Sequence, residues 1–157
     1  MKRFLSILST LLISAVAFAQ GQLVTWSSSV EKADGDVYKV IFTGKIADGY
    51  HTYTLTDEFS ATELMDPVVT GGELVGEPYE LSTPTEETDE FGYLARHYYN
   101  EIIIAQDVKA EGGAVFTGTI FTNSCTGGAC KAEYYDFDVK VEVAAADEPA
   151  SKGSKKG

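Results

Sequence analysis

The chain is 157 residues long and carries 24 Asp and Glu against 12 Lys and Arg, a formal net charge of −12. That excess of carboxylates repels polyanions, which excludes nucleic acid and anionic membrane surfaces as partners and implies a solvated acidic exterior. The length suits one domain with a core large enough to stand without covalent staples, so its two cysteines are not required as a scaffold.

Residues 1–19 have the layout of a secretory signal: cations at Lys2 and Arg3, an apolar run from Phe4 to Phe18, and small residues at Ala17 and Ala19 that place cleavage after Ala19. The run is about 15 residues, short of the roughly 20 that cross a bilayer, so no stable membrane insertion is expected. An uncleaved anchor, the alternative, is disfavoured by the small-residue site directly behind the run. Losing Lys2 and Arg3 with the signal takes the net charge from −12 to −14.

Strand signals follow. LVTWSS at 23–28 reads as a first strand and VYKVIFTGKI at 37–46 as a second, parted by the turn-forming ADGD at 33–36. After Ala47-Asp48-Gly49, the aromatic and β-branched YHTYTLT at 50–56 reads as a third. From Asp57 to Pro84 prolines and glycines break up the apolar pieces, and short edge strands and loops are expected. HYYNEIIIAQDVK at 97–109 and AVFTGTIFTNS at 114–124 are further strands. In AEYYDFDVKVEV at 132–143, Tyr135, Phe137, Val139, Val141 and Val143 alternate with Asp136, Asp138, Lys140 and Glu142, the pattern of a half-buried strand. Seven or more short strands with frequent turns and no helical period predict an all-β, two-sheet antiparallel β-sandwich, a single domain over 20–144. The small and charged residues of 145–157 predict a disordered tail.

The cysteines sit late, in CTGGAC at 125–130. Four intervening residues with two glycines are of hairpin length, so Cys125 would end one strand and Cys130 begin its partner. Opposed positions on antiparallel strands fall within reach of a disulfide, and an oxidising compartment favours it. Closing a loop of about six residues contributes only about 2 kcal/mol of chain entropy, so structural staple and redox pair stand level on this argument. A metal is not expected: the C-x-x-x-x-C spacing has no second ligand pair, with His51 and His97 as the only nitrogen donors. Nor does any local signature make either histidine the base of a hydrolase.

Three segments together, DGYHTY at 48–53, DEFGY at 89–93 and the CTGGAC hairpin with its alternating terminal strand, resemble the N-terminal periplasmic domain of the bacterial thiol:disulfide interchange protein DsbD. The similarity spans most of the exported chain. It implies an immunoglobulin-like sandwich in the periplasm. It also implies a redox pair, Cys125 and Cys130, with Cys130 forming the mixed disulfide. Asp89, Glu90, Phe91, Gly92 and Tyr93 correspond to the family's cap loop, with Phe91 the ring that covers the sulfurs; the alternative for Phe91 is a core aromatic, and for Asp89 and Glu90 solvated loop charges. Carboxylates near the sulfurs would disfavour the thiolate, and Lys131 would favour it. Tyr50 and Tyr53 correspond to supporting aromatics beside the site, or with Trp26 belong to the core. Implied partners are a membrane-embedded thiol reductant and oxidised or thioredoxin-like periplasmic proteins, with no cofactor beyond the dithiol. The membrane-spanning and thioredoxin-like domains of the full family protein have no counterpart in this sequence, so a separate reductant is expected. The rival reading is a non-enzymatic secreted sandwich that binds a partner, its disulfide structural.

Overall fold

The computed structural model describes residues 21–141; the signal at 1–19 and the tail at 145–157 lie outside them. Eight strands follow in order: β1 (Val24–Asp34), β2 (Val37–Ile46), β3 (His51–Tyr53), β4 (Glu63–Glu80), β5 (Thr85–Thr88), β6 (Leu94–Tyr99), β7 (Glu101–Thr126) and β8 (Ala129–Val141). All pairings are antiparallel, and the described residues contain no helix. The expected all-β class is the one observed.

Two long strands build both layers of the sandwich. The first part of β7 pairs with β2, and its second part pairs with β8. β4 accompanies β7 throughout, residues 72–80 along the first part and 63–70 along the second. One layer therefore holds β1, β2 and the early part of β7, and the other holds the late part of β7, β8, β3, β6 and β5. Between them the rings of Phe42 on β2, Phe116 on β7 and Phe137 on β8 meet at centroid separations of 4.6 to 6.1 Å. Around this triad lie Trp26, Val40, Ile102, Ile104, Ile120, Val139 and Val141. On β8 the alternation holds as read from the sequence: Phe137, Val139 and Val141 are buried, and Asp136, Asp138 and Lys140 are exposed.

Two expectations are corrected. Residues 57–84 do not form only short pieces and loops, because β4 runs unbroken for 18 residues. Its register with β7 shifts between Met65 and Val68, between Thr70 and Gly72, and between Val75 and Tyr79. Pro67, Gly71, Gly76 and Pro78 fall inside those shifts. The breakers thus sit where ladder bonds are already interrupted, and they bend the strand without ending it. At the bend Gly72 is required, since a Cβ there would run into the Lys109 carbonyl oxygen. The second correction concerns 97–109, expected as one strand. Asn100, at φ 69°, divides it into β6 and β7, and its carbonyl accepts from the Ile46 N–H at 2.8 Å. Asparagine tolerates the left-handed conformation better than most residues.

The edge pairing of β4 carries a titratable marker. The Tyr79 hydroxyl donates to Asp107 at 2.8 Å, and burial, then that hydrogen bond and the carboxylate charge, push the phenol up to about 12. A raised phenol contributes stability in full below the ordinary value near 10, which is lost as pH rises from there through about 12. Ultraviolet titration of the folded protein should therefore show several late phenols, Tyr98 among them, and one fewer in Tyr79→Phe. A variant with the same late absorbance would mean that Tyr79 is not one of them.

Candidate functional site

The site grows from the β7–β8 hairpin. Thr126 pairs with Ala129, which shortens the connection to Gly127-Gly128, two residues where four were expected. Both glycines have positive φ, 50° and 88°, as a tight hairpin turn of this kind demands. One step down the ladder Cys125 faces Cys130 at a Cα separation of 4.1 Å, and the two are disulfide-bonded. The sulfurs are not equivalent in exposure: Cys125 is 4% exposed, and Cys130 is an exposed residue.

Cys125 is covered by strands from the same layer. β3 lies beside β7 with His51 opposite Cys125, and β6 lies beside β3 with Tyr99 opposite His51 and Tyr53 opposite His97. Side chains two apart on a strand share a face, so His51-Thr52-Tyr53 and His97-Tyr98-Tyr99 present two imidazoles and two phenols as one patch. The imidazoles of His51 and His97 stack at 4.3 Å between centroids, and Tyr53 meets His97 edge-on at 5.1 Å. The Tyr53 hydroxyl donates to Cys125 Sγ at 3.4 Å and lies 3.3 Å from His51 Nε2. On the far side Glu87 of β5 accepts from Tyr99 at 2.9 Å and contacts His97 Nδ1 at 3.2 Å. Hydrogen-bonding contacts thus join Glu87 to His97 and Tyr99, and join His51 to Tyr53 and the buried sulfur, with the ring contact of His97 on His51 connecting the two sets. The backbone at Tyr53 is pinned by Thr62, whose hydroxyl donates to the Tyr53 carbonyl at 2.6 Å.

The electrostatics follow from that packing. Burial, then the neighbouring His97 charge, lowers the His51 pKa below 6.5, with Glu87 opposing. Burial, then Asp57, raises the Tyr53 phenol. Hydrogen bonds from Tyr99 and His97 hold Glu87 below the ordinary carboxylate value. His51 therefore stays neutral, and Glu87 ionised, at neutral pH. Among the described residues no three His, Cys, Asp or Glu side chains converge to hold a metal ion.

Tyr53 is brought onto the sulfur, whereas Tyr50 is half-buried and packs against the core. Trp26 is a core residue. Asp89, Glu90, Phe91, Gly92 and Tyr93 form the tip of the β5–β6 hairpin. Asp89 Oδ1 accepts from the N–H groups of Phe91 and Tyr93, both at 2.9 Å, and so shapes the turn itself. Phe91 is 78% exposed, which rules out the core reading and leaves its ring in solvent. Lys131 is engaged by Glu133 at 3.2 Å and by the Gly21 carbonyl. The residues that sequence reasoning undervalued are His51, His97, Tyr99 and Glu87. The signal that could have found them is the repeated H-x-Y tripeptide in two strand-like segments.

The fold and site together define an immunoglobulin-like sandwich with a cross-strand disulfide at one hairpin end. The fold is similar to that of the N-terminal periplasmic domain of ScsB from Proteus mirabilis, with a TM-score of 0.54 at 13% identity, over 79% of this chain and 49% of that one. The chain thus spans about half the length of that protein chain. The reduced DsbD N-terminal domain of Neisseria meningitidis is 22% identical over 76% of this chain and 86% of its own, with a TM-score of 0.47. No family model matches the chain, and no curated protein matches it.

Proposed function

We propose that this chain is a periplasmic thiol–disulfide exchange module, a protein-disulfide reductase component that passes electrons from a membrane-embedded thiol reductant to oxidised or thioredoxin-like proteins. Cys125 and Cys130 carry the electrons. The observation that supports this reading best is the asymmetry of the pair: an exposed Cys130 open to a partner's sulfur, bonded to a buried Cys125 that receives a hydrogen bond from Tyr53. In exchange, the accessible sulfur forms the mixed disulfide and the sheltered one closes it. The bond also spans a loop too short to stabilise the fold by more than about 2 kcal/mol. Among the described residues no helix is long and apolar enough to cross a membrane.

In this reading the turn at 89–93 is a cap. Phe91 would move from solvent onto the sulfurs and exclude stray thiols until a partner displaces it, as active-site loops do on binding.

The deciding experiment equilibrates the folded protein in defined dithiol buffers and counts free thiols. A reduction potential above about −300 mV supports exchange, and a much lower one assigns the bond a structural role and leaves the binding-module reading. In the same protein Phe91→Ala should raise the rate of reduction by dithiothreitol. An unchanged rate would remove the cap from the mechanism while leaving the exchange reading in place.

A further inference from the structure

The chain of groups between Glu87 and Cys125 has a directional property that the exchange reading does not use. While the disulfide is intact its sulfurs can only accept, so the hydrogen bond at Cys125 Sγ is donated by the Tyr53 hydroxyl; His51 Nε2, 3.3 Å from the same oxygen, donates to it when protonated at that nitrogen. When Cys125 is a thiol the same three atoms can run the other way, with S–H donating to Tyr53 Oη and the phenol donating to a bare His51 Nε2. Passing protons along these three atoms carries one proton from sulfur to imidazole through the phenol oxygen.

We propose that His51 is the proton acceptor for Cys125 in the closing step of exchange, acting through the Tyr53 hydroxyl, with His97 and Glu87 holding its ring in line. Tyr53 touches the reacting sulfur and is the catalytic residue; His51 acts through it as the proton acceptor, and His97 and Glu87 are positioning residues. The inference rests on the exchange reading.

The step balances as follows. A partner's protein disulfide, the oxidant, has already been opened by Cys130, which is joined to one of its sulfurs. The Cys125 S–H bond breaks; its proton goes to Tyr53 Oη as the phenol's own proton goes to His51 Nε2. The Cys125 thiolate attacks Cys130 Sγ, forming the Cys125–Cys130 bond and breaking the bond from Cys130 to the partner. The partner's sulfur leaves with the electron pair as a thiolate. Cys125 and Cys130 are oxidised by two electrons, the partner is reduced by two, and the imidazolium returns its proton to water.

The surroundings suit His51 to this task. The ionisable groups packed around it are Tyr53 on its own strand, His97 and Tyr99 on β6, Glu87 on β5 and Cys125 on β7. Burial and His97 keep it unprotonated at neutral pH, free to accept, while Glu87 limits how far its basicity falls. The available gain is bounded: a thiol with a pKa near 8.5 is about 3% ionised at pH 7, so complete deprotonation by a neighbour could accelerate attack by at most about 30-fold.

The test mixes the reduced protein rapidly with excess chromogenic aromatic disulfide between pH 5 and 9. The first coloured thiolate reports attack by Cys130, and the second reports closure by Cys125. The closing rate should rise through an inflection below pH 6.5, the ordinary histidine value. In His51→Gln that inflection should vanish and closure at pH 7 slow by roughly tenfold, within the 30-fold bound, with the first phase unchanged. Tyr53→Phe should lose the inflection likewise. Glu87→Gln, a change at an exposed position, should move it to lower pH, because the carboxylate is the attraction that raises His51. Closing rates with the same pH profile in the wild type, His51→Gln and Glu87→Gln, behind a normal first phase, would overturn the relay and leave exchange standing. No first phase in the wild type at any pH would sink the exchange reading and the relay with it.

Discussion

Replacing Cys125 with serine should yield a protein that forms a lasting mixed disulfide with a small disulfide reagent, whereas Cys130→Ser should yield one that scarcely reacts. The difference follows from exposure. Cys130 lies open on the hairpin, and Cys125 is nearly inaccessible beneath Tyr53 and the strand ends of β3 and β7. If uncovering Cys125 costs about 3 kcal/mol of local opening, the two variants should differ in rate on the order of 10²-fold, since each 1.4 kcal/mol is a factor of ten. Without its partner thiol Cys125→Ser cannot resolve the adduct, so mass spectrometry should find it persistent. Both variants should lose roughly 2 kcal/mol of stability with the bond. Equal reactivity in the two would mean that burial does not choose the attacking sulfur, and would remove the main support for the proposed roles.

The second large effect is expected far from the sulfurs. Phe42→Ala should destabilise the fold by about 3 to 5 kcal/mol, because the ring is fully buried and touches both Phe116 and Phe137 across the two layers. Against a total of roughly 5 to 15 kcal/mol for a domain, that is a large fraction. Phe42→Leu keeps most of the volume and should cost clearly less. Chemical denaturation of the two variants measures both. A loss under about 1 kcal/mol in Phe42→Ala would mean the layers close over the gap, and that the aromatic triad is not what joins them. The same variant also separates stability from chemistry. At temperatures where it remains folded its exchange kinetics should match the wild type, since the triad touches none of the groups beside Cys125.

Where neighbours along the chain decide a structure, this sequence was readable. β2 spans the residues its pattern indicated, because alternation over ten residues leaves only one face able to enter a core. The pairing of Cys125 with Cys130 was legible for the same reason, since a glycine turn sets which residues stand opposite. β4 was not legible. Its prolines and glycines are breakers by local rules, and only the register of β7 beside it shows that Pro67, Gly71, Gly76 and Pro78 fall where the pairing is already interrupted. The cap segment was recognisable as a turn, but that Phe91 points into solvent depends on how the β5–β6 hairpin stands on the sheet. The histidines were the furthest from view. His51 and His97 are 46 positions apart and each looked like an ordinary strand residue. They become a stacked pair beside a sulfur only because β3 sits between β6 and β7. Local periodicity determined which residues are strands and which of their faces are apolar. The order of strands across the sheet, which depends on long-range pairing and packing, decided which polar side chains share a site.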